Sequence, residues 1–251
     1  MSYSVLAAGY DPLTRDVNYE ELADYLAGRL GGRGVPEGGL LLDLACGTGS
    51  LACALAERGY EVIGVDSSPD MLSVAQSKAY DVSDTQPRPV FIMQDMRSLD
   101  LYGTVAGAVC TLDGLNHILD EDGFDEVLRR LALFIEPGGC LVFDINTPCK
   151  LRGLDGHAFL DEAEREGIFC AWSVADTGED GVYEFCIDVF TRRGKLWERR
   201  TESFCERAWE PDWIRGRLER HGFGDIEVFG DRSDAQPGAD EQRIFFVARR
   251  M

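Results

Sequence analysis

Leu40-Leu41-Leu42-Asp43-Leu44-Ala45-Cys46-Gly47-Thr48-Gly49-Ser50 decides the fold of this 251-residue chain. A near-continuous apolar run breaks into a glycine turn, after which Leu51, Leu55 and the alanines between them resume at helical spacing. That is strand, turn, helix. The same grammar follows at once: Glu61 to Val65 reads as a strand, Asp66-Ser67-Ser68-Pro69 as a turn with proline in the first helical turn, and Met71, Leu72 and Ala75 as a helix face. Two strand-to-helix units in succession imply a parallel, doubly wound α/β sheet.

Working outward, Tyr19, Leu22, Leu26 and Leu30 place an amphipathic helix over 14–31, stopped by Gly31-Gly32. Further buried strands are expected at Val90 to Met93, Val105 to Thr111 and Cys140 to Ile145, the last preceded by a helix through Leu128, Leu131 and Phe134 and by a Pro137-Gly138-Gly139 turn. From about 151 to 209 the pattern changes to long aromatic, Thr- and Val-rich segments (168–174, 182–191, 195–209) joined by glycine turns, which predicts an antiparallel insertion after the fifth strand. A helix opened by Pro211 and a hairpin of Ile226 to Phe229 with Arg243 to Ala248 complete a Rossmann-like, seven-stranded sheet whose last strand runs antiparallel. The expected organisation is 1–150 as the core with its N-terminal helix, 151–209 as the insertion, and 210–251 as the completion of the core.

Composition narrows the function. The net charge of −20 and pI near 4.5 disfavour nucleic acid and anionic membrane as partners. Eight cysteines lie scattered without a C-x-x-C pair and mostly inside apolar runs, so they read as small buried hydrophobes in a reducing, cytoplasmic setting. The first residues have neither a basic region nor a long apolar segment, and no run approaches the roughly 20 residues of a membrane span.

Ligands of open parallel sheets bind at the carboxyl ends of the strands. There Asp43 is out of place, because an ionised carboxylate in an apolar strand requires a cation or hydrogen-bond donors, whether a ligand's or those of its own glycine turn. Asp66 ends the second strand nineteen residues beyond Gly47, the distance at which a carboxylate meets a ribose diol. Asp95-Met96 ends the third, giving a further carboxylate beside a soft apolar side chain able to pack on a flat ring. Gly47-x-Gly49-x-x-Ala52 with Asp66 also satisfies the dinucleotide fingerprint, so the glycines alone leave NAD open. Asp43 would oppose a pyrophosphate but suits an amino acid's ammonium, and no basic residue is expected beside Asp95. The combination favours adenosine joined to a zwitterionic amino acid, S-adenosylmethionine (SAM).

These stretches, with Val62 to Leu72, Gln94-Asp95-Met96 and Pro137-Gly138-Gly139, resemble the class I SAM-dependent methyltransferases over roughly residues 10 to 147. Tyr10-Asp11-x-Leu13-Thr14 and Cys110 to His117 are similar to the small-molecule branch, including sugar-amine N-methyltransferases. The resemblance implies that Asp43, Ala45, Gly47 and Gly49 hold the methionine part, Asp66 the ribose hydroxyls, Ser67 or Met71 one side of the adenine pocket, and Asp95 with Met96 its amine and face. Tyr10 and Thr111 would close around the cofactor, and a methyl group would pass to N or O of a small molecule.

In-line displacement at carbon needs a base only for an acceptor that arrives protonated, and His117, after the fourth strand, is the candidate. A structural histidine bonding the next helix is the alternative. Asp113 and Asn116 would orient the acceptor or cap that helix. His221 reads as a helix C-terminal cation, and His157 lacks a recognisable partner. No metal site is expected, because His and Cys never fall at ligand spacing. The insertion would be a lid over the acceptor, the surface of a homodimer, or a cover for the chain's own core, and Asp161 to Glu164 reads as a solvated helix face. Rival functions are an NAD-linked oxidoreductase and a non-catalytic SAM-binding module.

Overall fold

The computed structural model describes residues 3–251. Seven strands form the main sheet: β1 (Leu40–Leu44), β2 (Glu61–Asp66), β3 (Val90–Met93), β4 (Val105–Cys110), β5 (Ile135–Asn146), β10 (Phe223–Gly230) and β11 (Arg243–Arg250). Their spatial order is β10-β11-β5-β4-β1-β2-β3, with β11 antiparallel to both its neighbours and the central pairs parallel. The order reverses between β1 and β4, which sets the crevice where parallel sheets bind ligands.

Among the described residues, seven α-helices join and flank the strands: α1 (Tyr10–Leu13), α2 (Tyr19–Gly32), α3 (Ser50–Glu57), α4 (Pro69–Ala79), α5 (Glu121–Phe134), α6 (Pro148–Leu154) and α7 (Pro211–Arg220). Alternation along β1 divides the core between two faces. Leu41 packs with Leu22, Leu26, Leu51 and Leu55 of α2 and α3, while Leu42 and Leu44 pack with Phe124, Leu128, Ile214 and Leu218 of α5 and α7. The helix expected from residue 14 begins at Tyr19, because the Asn18 side chain accepts the Glu21 amide and caps it there. Pro137-Gly138-Gly139 does not precede β5 but lies within it, as an irregularity: Val105 pairs with Ile135, and the ladder resumes only at Gly107 and Cys140.

The insertion is a separate antiparallel sheet of four strands, β6 (Ala158–Ala163), β7 (Ile168–Asp176), β8 (Val182–Arg193) and β9 (Leu196–Arg207), in sequence order. The acidic stretch Asp161 to Glu164, expected as a helix face, belongs to edge strand β6 and the short 3₁₀ turn after it; edge position satisfies charged side chains without helical structure. The apolar face of this sheet is covered from within the chain. Leu6, Val5 and Tyr3 pack on Ile168, Cys170, Ile187 and Val189, and Leu151 of α6 packs on Val174, Tyr183 and Phe185. All eight cysteines are free, but only Cys46, Cys110, Cys140 and Cys170 are buried, and Cys186 is exposed.

Candidate active site

The turn after β1 is built from left-handed backbone: Ala45 (φ 59°), Gly47 (φ 53°) and Gly49 (φ 73°). Only glycine fits at 49, where a Cβ would stand 2.7 Å from the Phe91 ring and 2.8 Å from Ala75. Nothing lies within 4 Å of the corresponding point on Gly47, so the backbone there is open to a ligand. Asp66 ties the two strand tips together, accepting from the Gly47 amide (2.9 Å) and the Ser68 amide (2.8 Å).

Asp43 is buried, and among the described residues its Oδ2 has no hydrogen-bond partner. Burial first, then the charge of Asp66, pushes its carboxyl up to about 8, against a bond from the Ala52 backbone. A carboxylate held that way calls for a cation, and it borders a narrow cavity of about 80 Å³ with Tyr10, Gly47, Met71 and Thr111. A wider cavity of about 300 Å³ lies alongside, bordered by Ser67, Gln94, Asp95 and Met96. Tyr3, Ala45, Asp66, Gly114 and His117 line both, so they form the wall between the two compartments. Met71 faces the narrow cavity and not the compartment beside Asp95 where it was expected, and Gly49 lines neither.

Asp95 does have a basic neighbour, contrary to expectation. Arg97 turns back on it with Nη2 at 2.5 Å and Nε at 3.0 Å, and this pair holds the carboxyl below its usual range. Two residues of separation across a cap are close in space, which a reading by strands overlooks. A clasp closes the narrow compartment: Lys78 of α4 reaches Asp11 (2.5 Å), Thr48 (3.0 Å) and Ser50 (2.5 Å), and Asp11 accepts from Thr48 (2.7 Å).

His117 ends a 3₁₀ turn, Gly114–His117, entered through two left-handed residues, Leu112 (φ 56°) and Asp113 (φ 61°). Such backbone is costly for non-glycine residues and is held here by Asp144, a fully buried carboxylate that accepts both amides (2.9 and 2.8 Å). Arg243 locks the arrangement, with one arm on Asp144 (2.5 Å) and the other on Asp113 (2.6 Å). Asn116 is not available to an acceptor: it is fully buried and spends its side chain on the Asn146 and Arg207 carbonyls and the Asn146 amide. Asp113 borders neither cavity and pairs with Arg243 instead.

The partner of His117 is Tyr3, whose hydroxyl lies 2.9 Å from Nε2, and not the next helix. The His117 Nδ1 is buried, and among the described residues no hydrogen bond of full geometry reaches it. Burial lowers its pKa below the usual 6.5, opposed by Asp113 and the Cys205 backbone, so the ring is neutral at physiological pH. Asp113, His117 and Glu206 each bring one donor atom within 4.8 Å of the others, a convergence of metal-ligand type that the spacing of His and Cys did not foresee. The guanidinium of Arg243 already supplies a cation to this group. The other histidines stand apart: His221 caps α7 facing Asp125 (3.1 Å), and His157 bonds the Asp155 carbonyl (2.9 Å).

The family model described as a methyltransferase domain matches residues 41–139. YqeM of Bacillus subtilis (strain 168), named as a candidate methyltransferase, is 30% identical over 251 residues, covering 100% of this chain and 98% of that protein. The crystal structure of an S-adenosylmethionine-dependent methyltransferase from Clostridium acetobutylicum ATCC 824 superposes with a TM-score of 0.86 at 27% identity, covering 98% of each chain. The chain belongs to the SAM-dependent methyltransferases. A dTDP-3-amino-3,6-dideoxy-alpha-D-glucopyranose N,N-dimethyltransferase from Streptomyces fradiae is 31% identical over 126 residues, 50% of this chain and 46% of that enzyme.

Beyond Arg97, four further groups at the site of this methyltransferase are not singled out by the sequence pattern. Asp144 carries the same signal as Asp43, a lone carboxylate near the end of an apolar strand, and was legible on that ground. Arg243, Glu206 and Tyr3 give no local signal, because each reaches the site from a distant part of the chain. Among the described residues, no helix is long and apolar enough to cross a membrane.

Proposed function

We propose that this SAM-dependent enzyme methylates N or O of a small-molecule acceptor in the cytoplasm, with an amine nitrogen as the first choice. The observation that carries the reading is the unpartnered, buried Oδ2 of Asp43 in a compartment that shares a wall with the one holding Ser67, Asp95 and Met96. Asp43 matches an ammonium and opposes a phosphate, which separates SAM from a dinucleotide. The open backbone at Ala45 and Gly47 lies along the amino-acid part, with Tyr10, Met71 and Thr111 around it. Asp66, oriented by two backbone amides, presents its remaining lone pairs to ribose hydroxyls. Ser67, Met96 and Asp95 border the adenine side.

SAM supplies an electrophilic methyl group. The protein contributes alignment and a proton acceptor: His117 stands on the shared wall, neutral, with Nε2 within hydrogen-bond reach of the nearest hydroxyl, Tyr3. An acceptor amine taking that hydroxyl's place would pass its proton to the imidazole before attacking carbon. The partial relative from Streptomyces fradiae, an amino-sugar N,N-dimethyltransferase by name, supports a small molecule bearing an amine as an acceptor to try.

Thermal unfolding with SAM, S-adenosylhomocysteine and NAD tests the cofactor reading, and stabilisation by the first two alone is expected. Methyl-labelled SAM offered with panels of small amines and alcohols tests the acceptor. A shift with NAD alone, or label transfer only to macromolecules, would overturn the proposal.

A further inference from the structure

Glu206 lies near the end of β9, in the accessory sheet, yet reaches the loop that carries His117. It is 2% exposed, a burial at which an acidic side chain is costly unless paired. One carboxylate oxygen accepts from the Asn146 side chain (2.8 Å), and Asn146 in turn accepts from Lys150 (2.8 Å) and Arg243 (3.1 Å). No hydrogen bond among the described residues engages the other oxygen. The neighbourhood is crowded with charge from every side: Asp113 from the loop after β4, His117 from the 3₁₀ turn, Tyr3 from the N-terminal segment, Lys150 from α6, Arg243 from β11 and, opposite on β8, Tyr183. Asp113 and Asp144 already engage Arg243, so the remaining carboxyl lacks a full counter-charge.

We propose that Glu206 is a positioning residue that tunes the basicity of His117 by its charge from the accessory sheet, across a cluster that Asp113 completes. This rests on the reading of His117 as the proton acceptor. The geometry places the coupling within electrostatic reach, since one donor atom of each residue lies within 4.8 Å of the other two. Burial and then Asp113 raise the Glu206 carboxyl to about 8, so it is neutral where His117 first titrates and ionises at higher pH. Once ionised, its negative charge stabilises the imidazolium that forms when His117 takes a proton. Tyr3 does not compete, because burial, followed by Asp113, raises its hydroxyl well above the ordinary tyrosine value.

The test follows the His117 Cε1 signal by NMR between pH 5 and 9 in the full-length protein labelled at histidine, with His117→Gln identifying the resonance. Two inflections are expected, one below pH 6.5 from the ring itself and one near pH 8 reporting Glu206. Glu206→Gln keeps an acceptor for Asn146 and removes the titrating group, so the upper inflection vanishes while the lower one stays. Asp113→Asn removes the like charge beside Glu206 and moves the upper inflection to lower pH. A single inflection in the unaltered protein, or an upper one that survives Glu206→Gln, overturns the proposal. If Glu206→Gln does not fold, an upper inflection unmoved by Asp113→Asn overturns it. Methyl transfer that persists in His117→Gln would sink the role of His117 as base and leave the measured coupling standing.

Discussion

The site has two halves made in opposite ways. The half at the tips of β1, β2 and β3 is local: Asp43, Gly47 and Gly49 fall within seven residues, and Asp66 closes on Gly47 through a backbone amide. The half around His117 is assembled from afar, with Tyr3, Glu206 and Arg243 lying 114, 89 and 126 residues from it along the chain. One half uses backbone geometry that a few glycines dictate. The other relies on charged side chains that fit only after two sheets have met. A cofactor of constant shape suits the first kind of construction, and an acceptor that differs between enzymes suits the second.

Substitutions that separate the halves are the way to break this contrast. His117→Gln should lower methyl transfer by about 10² to 10⁴, the usual worth of general base catalysis, while SAM affinity by calorimetry changes little. Arg243→Met leaves the buried Asp144 and the part-buried Asp113 without their cation and should cost about 3–5 kcal/mol in denaturant unfolding, loosening the His117 loop. Asp43→Asn should do the converse of His117→Gln. Losing a charge-assisted contact of about 1.5–3 kcal/mol weakens SAM binding by roughly 10- to 150-fold and leaves the His117 titration in place. If both substitutions damaged cofactor binding equally, the two halves would be one unit.

A smaller effect sharpens the comparison. The Asp43 carboxyl is raised to about 8 in the folded protein, so the fold favours its protonated form. Its contribution to cofactor-free stability is full below pH 4 and is lost as pH climbs towards 8, and Asn at this position removes that part of the decline. Melting temperatures of the two proteins without SAM should therefore diverge in favour of Asp43→Asn between pH 5 and 8. Binding of an ammonium reverses the preference, and proton release on adding SAM, read by calorimetry in buffers of different ionisation enthalpy, should disappear in the variant.

The same division explains what was legible in the sequence. Apolar runs broken by glycine turns place β1 to β4 within a residue of their observed ends, because backbone propensity and burial act locally. Asp43 and Asp66 stand out for the same reason. The burial of Asn116 is not legible locally, because its neighbours in sequence are site residues, whereas its partners, Asn146 and the Arg207 carbonyl, lie on β5 and β9. Strand β6 was missed since its charges follow from an edge position that no periodicity announces. Arg97 was overlooked beside Asp95 because a cap folds neighbours together at a scale finer than strand and helix.

Tyr3 sits on the wall between the two compartments, and the Ser4 and Val5 amides bond Glu202 of β9 (3.2 and 3.3 Å). The segment 3–5 is thereby strapped to the accessory sheet, so a change at Glu202 of β9 is transmitted to the hydroxyl that faces His117.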